Sequence, residues 1–405
     1  MPISVRSLDV VLTATCNLRC AYCYQNRHGP LHMDWGTLKA AVDLLLASDR
    51  RRVKLNFLGG EPLIRFSTIR RAVAHAERHL PPDKRIQYGI STNGLLLDEE
   101  VTGFLDAHGF EVQLSFDGVE RAQDLRAGDS FSRLDALVDR LRRRHPALYR
   151  DRLSVAITLT TANLPHLADS VDYFLAKGVH SIDVAPCLSD EAVPHHGMMK
   201  ELGRQLSRIH RSLLDHYTRT GEVPLKLFRK KRGERPALNP GGAICRAGTA
   251  EAVTVDVSGR VHGCVLLCDS YQSPSTGLLR DAIAATSPGD LRRAAFPARL
   301  ADYPGRARET RLFHDRRRKH SALGRCRDCR HVESCGVCPL SAAYLPGNDD
   351  PDRIPAFACA FMKVALDYRA RFPDQPDAYE LLTGQARTPD LIRELLEIAD
   401  DGSVA

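Results

Sequence analysis

Three cysteines near the start of the chain, Cys16, Cys20 and Cys23, have a spacing that suits a metal or redox site. They follow an apolar run at residues 8–13 that is predicted to be a strand, so the thiols stand at its C-terminal end. In parallel α/β barrels the chemistry gathers at this end. Zinc usually takes four ligands, and no fourth ligand is close by. Three thiolates on a four-iron cluster leave one iron open to bind another molecule, so the stretch favours iron–sulfur chemistry.

Each of the next three predicted strands is also followed by a short motif that suits ligand binding. Glycines let a backbone approach a ligand closely, and a carboxylate accepts hydrogen bonds from an ammonium group. The motifs are LGGEPL, STNG and LSFDG, and their candidate contact residues are Gly59, Gly60, Glu61, Pro62, Ser91, Asn93, Ser115 and Asp117. Arg126, eleven residues after Ser115, offers a fork of donors for a carboxylate.

The elements that must position these residues alternate between strand and helix. Strands are predicted at 8–13, 53–58, 86–92, 111–116, 153–159 and 181–185, and helices at 35–47, 68–79, 98–107, 132–144, 164–176 and 198–217. Six βα units in sequence predict a parallel sheet with right-handed crossovers. A full barrel of this type has eight units. The expected fold is therefore α/β, with a partial (β/α)6 TIM-type barrel in residues 1–225.

The composition changes after this region. Residues 226–244 are predicted to be a linker, residues 245–370 a small Cys-rich α+β domain, and residues 371–405 a helical C-terminal tail. Eight of the twelve cysteines lie between Cys245 and Cys359. Because this second domain has little continuous core, we expect bound metal to hold it together.

Composition narrows the class of protein. The chain has 405 residues, of which 43% are hydrophobic, with no apolar run of the roughly 18 residues a membrane span needs and no secretory signal. A cytoplasmic location is the default, and clustered cysteines there bind metal or do redox chemistry more often than they form disulfides.

Two basic stretches, at residues 229–235 and 311–320, carry much of the net charge of +7. They are interpreted as solvated loops or as a basic rim that attracts an acidic partner such as an acidic peptide. No aromatic residues interleave with these charges, so nucleic-acid binding is not favoured.

The stretch CNLRCAYCY resembles the signature of the radical S-adenosylmethionine (SAM) enzymes. The resemblance implies that Cys16, Cys20 and Cys23 hold a [4Fe–4S] cluster whose open iron binds SAM, with Tyr22 near the adenine. The GGEP, TNG and S-x-D-G motifs resemble the family's SAM contacts, and Ser115 and Arg126 would contact SAM, Arg126 through the carboxylate. Relatives commonly have HD-x-x-R before this arginine, whereas Gln123 replaces the histidine here.

The later cysteines resemble the SPASM extension of the same enzymes, which carries two auxiliary [4Fe–4S] clusters. By that resemblance the outer cluster has the ligands Cys326, Cys329, Cys335 and Cys359. The inner cluster has Cys245, Cys264 and Cys338, with Cys268 as the candidate fourth ligand or an open iron. The two C-x2-C pairs alone also match a zinc ribbon. Cys187, which ends the sixth predicted strand, is interpreted as a packing residue or a site-lining residue.

The resemblance implies a maturase that oxidises or crosslinks a ribosomally made peptide, with a low-potential electron donor such as flavodoxin or ferredoxin. The first motif leaves no room for a leader-binding domain before it, so a separate protein would supply that function, or none is needed. A sulfatase-maturase-type enzyme and a small-molecule dehydrogenase are the alternatives. Sulfatase maturases place a catalytic Asp where Val265 stands here, and Asp269 is a weak replacement candidate. A zinc-stabilised binding module is the alternative from another class.

Overall fold

The computed structural model describes residues 4–25, 29–188, 192–230, 245–268, 277–313 and 315–375. Its main sheet contains six parallel strands that follow one another in chain order. They are β1 (Ser7–Val11), β2 (Arg52–Leu58), β3 (Arg85–Thr92), β4 (Glu111–Ser115), β5 (Leu153–Leu159) and β6 (Ile182–Pro186). Among the described strands β1 and β6 do not pair. The predicted α/β class with a parallel sheet is therefore confirmed, and no closure of the sheet into a barrel is found among the described residues.

Helices connect these strands, and each of the six predicted helices is present. Together with one further helical turn, α4, the helices of this region are α1 (Trp35–Leu46), α2 (Phe66–His79), α3 (Glu99–Ala107), α4 (Glu120–Gln123), α5 (Phe131–Arg144), α6 (Leu167–Lys177) and α7 (His196–Thr220). The single turn α4 was not predicted, because four residues are too few to display a helical period. Two residues of the candidate site, Asp117 and Arg126, lie on either side of this turn in the sequence.

Local signals explain why the helix bounds were predictable. The Asp34 carboxylate accepts a hydrogen bond from Thr37 N at 2.9 Å and starts α1, and Asp98 accepts one from Val101 N at 2.8 Å and starts α3. Short acceptors of this kind satisfy backbone donors that the first helical turn leaves free. Helix α6 ends at Gly178, whose φ of 74° is left-handed, a conformation that glycine adopts without strain.

The strands alternate between two kinds of residue. In β2 and β5 every second side chain is buried, and those between are partly exposed. The buried set, which includes Leu55, Phe57 and Val155, belongs to the hydrophobic core. The other set, which includes Asn56, Gln113 and Ser154, lines a cavity on the opposite face of the sheet. A strand in this sheet therefore supplies the core with one face and the cavity with the other.

The later part of the chain extends the same sheet. Its strands are β7 (Ala252–Val255), β8 (Arg260–His262), β9 (Gly289–Asp290), β10 (His320–Ser321) and β11 (Gly324–Arg325), and its helices are α8 (Gly277–Thr286), α9 (Phe296–Glu309), α10 (Ser341–Tyr344) and α11 (Ala356–Arg371). Strand β7 pairs in parallel with β1, so that Asp9 lies opposite Thr254, and β8 and β9 continue the sheet. The predicted domain limits at 225 and 245 stay predictions, but the sheet crosses them.

Helix α11 joins the two parts of the chain through aromatic contacts. The ring of His210 on α7 lies 5.6 Å from Tyr368 and 5.7 Å from Phe372. Of the predicted tail at 371–405, residues 376–405 lie outside the described residues, as do residues 231–244 of the predicted linker. No helix in the described ranges combines the length and the apolar character needed to cross a membrane.

Candidate functional site

The loop after β1 carries Cys16, Cys20 and Cys23 as free thiols. A hydrogen bond holds the end of this loop against its start, because Gln25 Nε2 donates to Ala14 O at 2.6 Å. Cys23 N donates to Cys20 O at 3.1 Å and closes the turn between the second and third thiols. Burial raises the pKa of all three thiols, that of Cys20 to about 11. Because thiolates are the metal ligands, a metal that binds here must displace three protons.

The glycine pair of LGGEPL lies directly against this loop. Gly60 N donates to Thr13 O at 2.8 Å. A Cβ on Gly59 would lie 2.7 Å from Thr13 O, and a Cβ on Gly60 would lie 2.4 Å from Thr15 O and 3.0 Å from the Cβ of Cys16. Both positions therefore require glycine. The close approach is to the cysteine loop itself, and approach to a ligand stays a prediction.

Glu61 connects the ends of β2 and β3. Its carboxylate is fully buried and accepts hydrogen bonds from Thr92 Oγ1 and Asn93 N, both at 2.8 Å, and from Leu63 N at 3.1 Å. Burial raises the pKa of Glu61 to about 7, against these hydrogen bonds. Pro62 begins the short turn that follows. Three donors from the protein thus already face the Glu61 carboxylate. Its predicted contact with an ammonium group stays a prediction.

Asn93 links the STNG turn to the cysteine loop. Its Nδ2 donates to Asn17 Oδ1 at 2.7 Å and lies 3.9 Å from Cys16 Sγ. Ser91 points to the other side of the turn, where its Oγ donates to Gln113 Oε1 at 3.0 Å. The structure therefore places Asn93 beside the thiols and Ser91 beside the sheet cavity.

Asp117 binds two other predicted site residues, Tyr22 and Arg126. Tyr22 Oη donates a short hydrogen bond to its carboxylate, Arg126 Nη2 donates at 2.9 Å and Nε at 3.3 Å, and Thr158 N donates at 2.9 Å. The Arg126 guanidinium also lies over the Tyr22 ring, 5.3 Å from its centroid. Burial raises the pKa of Tyr22 above its usual range. Arg126 is thus paired with Asp117, and Ser115 lies two residues before that carboxylate.

Gln123 holds Asp117 in place through its backbone. The Gln123 side-chain oxygen accepts a hydrogen bond from Asp117 N at 2.9 Å, and its Nε2 donates to Ser130 Oγ at 2.8 Å. The side chain is buried. The residue that departs from the HD-x-x-R pattern therefore has a defined structural role as a bridge.

Four predicted ligands line one small cavity in the later part of the chain: Cys326, Cys329, Cys335 and Cys359. We call this group the outer cysteine set. Burial raises the pKa of Cys326 to about 11, and the charges of the other three thiols act in the same direction. The turn between the first two is closed by Cys329 N, which donates to Cys326 O at 3.0 Å. Thiols that act on one another electrostatically and share one cavity fit a four-thiolate metal centre.

A second group, here called the inner cysteine set, consists of Cys245, Cys264 and Cys338. They pack against one apolar cluster, which includes Leu267 and Leu340. Burial raises the pKa of Cys264 above its usual range, and the charges of Cys338 and Cys245 add to this effect. Burial likewise raises the pKa of Cys338 to about 11. The structure thus brings together the three inner ligands that the sequence predicted.

Cys268, the candidate fourth ligand, has a different set of neighbours. Its Sγ lies 3.9 Å from Cys264 O and belongs to a buried group with Asp256 and His262, whose ligand atoms all lie within 4.8 Å of one another. Its role in the inner set stays a prediction. Asp269, the weak candidate for a base, lies outside the described residues.

Cys187 lies against the first cysteine loop. It is buried, and its Sγ is 3.8 Å from Tyr22 O. The sequence left open whether Cys187 is a packing residue or a site-lining residue. The structure agrees with both interpretations, because the side chain is packed in the interior and also lies at the edge of the site.

The sequence reasoning missed a polar cavity of about 300 Å³ beneath these loops. Asp9, Asn56 and Gln113 line it, and Asn56 Nδ2 donates to Asp9 Oδ1 at 2.7 Å. At its far end Lys54 and Glu111 form an ion pair at 2.5 Å. The signal was present in the sequence, because parallel strands buried on both faces are apolar throughout, whereas these strands have a polar residue at alternate positions. We call this space the strand cavity.

One family model matches part of the chain: residues 10–170 match the Radical SAM superfamily. The resemblance that the motifs indicated is therefore confirmed for the part of the chain that holds the first cysteine loop, the glycine pair and Arg126.

Particular relatives agree with this class. The chain is 26% identical to the serine-type anaerobic sulfatase-maturating enzyme of Klebsiella aerogenes over 204 residues, which is 48% of this chain and 50% of that protein. The chain spans 50 to 61% of the length of the first two curated relatives that it matches.

Two solved structures have the same fold over most of the chain. "Native anSMEcpe with bound AdoMet and Kp18Cys peptide" has a TM-score of 0.69 at 18% identity and covers 90% of this chain and 97% of its own. Streptococcus suis SuiB bound to precursor peptide SuiA has a TM-score of 0.57 at 14% identity and covers 88% and 76%. The predicted fold class is thereby confirmed over most of the chain.

Proposed function

We propose that this chain is a radical SAM maturase that carries out a net oxidative modification of a peptide or protein. One observation carries the proposal. Three thiols at the end of β1 are held in one place by the motifs that end the next three strands, through Gly60, Asn93 and the hydrogen bond between Tyr22 and Asp117. Convergence of this kind is expected of a site rather than of separate turns.

The residues present fit the cofactors that the class implies. The first loop would hold a [4Fe–4S] cluster through three thiolates, and the outer and inner cysteine sets would hold two auxiliary clusters, with Cys268 as the proposed fourth inner ligand. When bound at the first loop and cleaved with one electron from that cluster, SAM would supply a 5′-deoxyadenosyl radical that takes a hydrogen atom from the substrate. The auxiliary clusters would accept the second electron that the oxidised substrate loses. The GGEP, TNG and S-x-D-G motifs would contact SAM bound at the first loop. Because Arg126 is paired with Asp117, its role toward the SAM carboxylate would use the guanidinium as a pre-oriented donor.

The strand cavity would receive the substrate side chain. Its lining is polar, and the Asp9 carboxylate, oriented by Asn56, would accept the proton that an oxidised substrate releases. A peptide or protein substrate is supported by the two neighbours of the same fold, whose structures contain peptides. An electron donor such as flavodoxin or ferredoxin, and a separate leader-binding protein, belong to the proposal as partners.

Formylglycine formation on a sulfatase is a second candidate function, and the similar proteins support it equally. The Klebsiella relative is named a serine-type anaerobic sulfatase-maturating enzyme, and the anSMEcpe structure has the same fold. Against it, Val265 stands where those enzymes place an aspartate. A small-molecule dehydrogenase on the same scaffold is the remaining enzymatic alternative.

The first experiment is metal analysis of anaerobically reconstituted protein beside a Cys16/Cys20/Cys23→Ala variant. Three clusters predict about twelve irons per chain and a loss of about four in the variant. SAM should be cleaved to 5′-deoxyadenosine only by the wild type. About four irons together with zinc would keep the SAM site and remove the auxiliary clusters. Zinc without iron would leave the zinc-stabilised binding module as the function.

The substrate is tested by supplying peptides to the reconstituted enzyme and measuring their mass. A loss of two hydrogens from a small peptide encoded beside the gene supports the crosslinking or oxidation of a ribosomal peptide. Conversion of Cys or Ser in a sulfatase motif peptide to formylglycine supports the second candidate instead, and turnover of a sugar supports the dehydrogenase.

A further inference from the structure

The two basic stretches of the sequence, at residues 229–235 and 311–320, each contribute a cation to one groove. This groove has a volume of about 610 Å³, and Lys230 from the first stretch and Arg316 from the second both line it. Residues 231–235 and His314 lie outside the described residues. The two stretches are far apart in the chain, so their meeting is a property of the fold. We call this space the basic groove.

Positive charge dominates the lining of the basic groove. Four Lys and Arg side chains line it together with one carboxylate: Lys226, Lys230, Arg316, Arg369 and Glu333. The carboxylate already has a partner outside the lining, because Glu333 forms an ion pair with Arg317. A concave surface lined by one sign of charge focuses the field and attracts the opposite sign. The basic groove therefore favours an anionic ligand.

Carboxylates within the chain hold these cations only weakly. Lys226 Nζ lies 3.5 Å from Asp183 and Lys230 Nζ 2.7 Å from Asp374, and the four side chains are 31 to 44% exposed. Ion pairs that water reaches this freely contribute little, so a ligand carboxylate can compete for both lysines. Arg316 Nη1 is buried and has no hydrogen-bond partner among the described residues, which calls for an acceptor that those residues do not supply.

The basic groove is joined to the strand cavity through Lys226, which lines both spaces. Its neighbour Leu225 pairs with Ile182 of β6, so Lys226 stands beside the strand at which the main sheet ends. The strand cavity is where the proposed function places the reacting side chain of the substrate. An extended chain bound in the basic groove can therefore pass Lys226 and place a side chain in that cavity.

The shape of the basic groove favours a peptide over a folded protein. Its volume lies within the range of about 300–1,000 Å³ that is usual for small-ligand sites, which suits a short extended segment. Leu227 and Leu366 add an apolar part to the lining. Cys335 of the outer cysteine set lines the groove as well, so an acidic electron-carrier protein is the competing occupant. The link to the strand cavity decides for the peptide, because a carrier protein needs access only to the cysteines.

We propose that the basic groove binds an acidic segment of the peptide substrate and thereby selects peptides that have Asp or Glu residues near the residue to be modified. The four cations of the lining pair with these carboxylates, while the neighbouring part of the peptide enters the strand cavity. The inference rests on the proposed function, because it takes the substrate to be a peptide. It goes further by naming the charge of that peptide and the surface that recognises it.

The test is a binding measurement that does not depend on catalysis. The probe is a fluorescein-labelled peptide with a run of Glu residues, compared with the same peptide carrying Gln in their place. Fluorescence anisotropy with the anaerobically reconstituted protein gives the two affinities. The Glu peptide should bind at least about tenfold more tightly than the Gln peptide, and its affinity should fall as the salt concentration rises.

Charge reversal locates the binding site. In Lys226→Glu/Lys230→Glu the affinity for the Glu peptide should fall by about tenfold or more, because like charges then face each other. Lys39→Glu/Arg70→Glu is the matched control, since it changes the net charge equally at side chains that are 49% and 57% exposed and lie outside the groove lining. At physiological ionic strength distant charges are screened, so the control should bind like the wild type. If the reversal variant loses its iron and does not fold, Lys226→Gln/Lys230→Gln replaces it, with a smaller loss in the same direction.

Equal binding of the Glu and Gln peptides, or an equal loss in the reversal variant and its control, would overturn the inference. Slower oxidation of reduced flavodoxin by Lys226→Glu/Lys230→Glu, with an unchanged affinity for the Glu peptide, would also overturn it and assign the basic groove to the electron carrier. These results leave the proposed function intact, because iron content and SAM cleavage decide that. Protein with zinc in place of iron would overturn the proposed function and the substrate role of the groove together, whatever the peptide binding.

Discussion

The Asp117 carboxylate and the Arg126 guanidinium form a buried ion pair, with Arg126 Nη2 2.9 Å from Asp117 Oδ1 and side-chain exposures of 8% for the arginine and 0% for the aspartate. The carboxylate also accepts hydrogen bonds from Tyr22 and from Thr158 N. One acidic side chain therefore holds together the cysteine loop, the segment after β4 and the end of β5.

Replacing Asp117 with Asn should strongly destabilise the fold, because it leaves the Arg126 charge buried without its partner. Breaking a buried pair in this way costs about 3–5 kcal/mol, measured as the free energy of unfolding in denaturant. Asp172→Asn is the control: its partner Arg208 is 3.5 Å away and its side chain is 39% exposed, so the expected cost is about 1 kcal/mol or less. Equal costs for the two variants would contradict the reading of Asp117 as the central acceptor.

Gly60→Ala should disturb the first cysteine loop without disturbing the auxiliary sites. The added Cβ would meet Thr15 O at 2.4 Å, so the backbone that carries the thiols must shift. Reconstituted protein should lose about four irons and keep the rest. Gly103→Ala on α3 is the matched control, because a Cβ there meets nothing within 4 Å. Full iron content in Gly60→Ala would refute the prediction.

Glu61 should make stability depend on pH in a direction opposite to that of a salt-bridged acid. Burial raises its pKa from 4.5 to about 7, so between these values the folded state holds a proton that the unfolded chain releases. The free energy of unfolding should therefore fall as pH rises through this window, by up to about 3 kcal/mol. Above about pH 7 the contribution is constant.

The check is the difference in unfolding free energy between wild type and Glu61→Gln, measured at several pH values from about 4.5 to 8. This difference should shrink as pH rises, because glutamine does not titrate. For Glu100→Gln, whose carboxylate is 71% exposed, the difference should stay flat. A flat profile for Glu61→Gln as well would mean that Glu61 is ionised throughout.

Asp9→Asn should separate SAM cleavage from product formation. The amide oxygen still accepts the hydrogen bond from Asn56, but it cannot take up a proton at neutral pH. Loss of a general base typically costs about 10²–10⁴-fold in rate, so product should fall by that order while 5′-deoxyadenosine continues to form. The comparison is with Asp49→Asn, whose carboxylate is 42% exposed and outside the strand cavity. A parallel loss of both products would argue against a role for Asp9 in proton removal.

The sequence was most informative where signals were local. The six βα units were predictable because each strand and helix displays its own period and caps, as Asp34 and Gly178 illustrate. The cysteine positions and the motifs behind each strand were equally accessible. Their convergence followed from the rule that parallel strands end at one edge of a sheet.

Other features depend on contacts that no local pattern reveals. The pairing of β7 with β1 joins residues more than two hundred positions apart. Arg126 pairs with Asp117 in a buried ion pair, and residue type alone does not indicate which carboxylate an arginine will contact. The strand cavity was missed because its lining combines residues from separate strands, such as Asn56 and Gln113, and no single strand reveals the space between them.

The strand that carries the first cysteine loop has β2 on one side and β7 on the other, and this has a consequence for synthesis. Strand β7 ends 244 residues after β1 ends (255 − 11). At about 5–20 residues per second, β1 waits roughly ten seconds to a minute on the ribosome before its second neighbour exists. During that interval its outer edge offers unpaired backbone groups to other chains. Loading of the first cluster before translation ends would therefore take place on an unfinished sheet, and a chaperone that covers this edge would raise the yield of active protein.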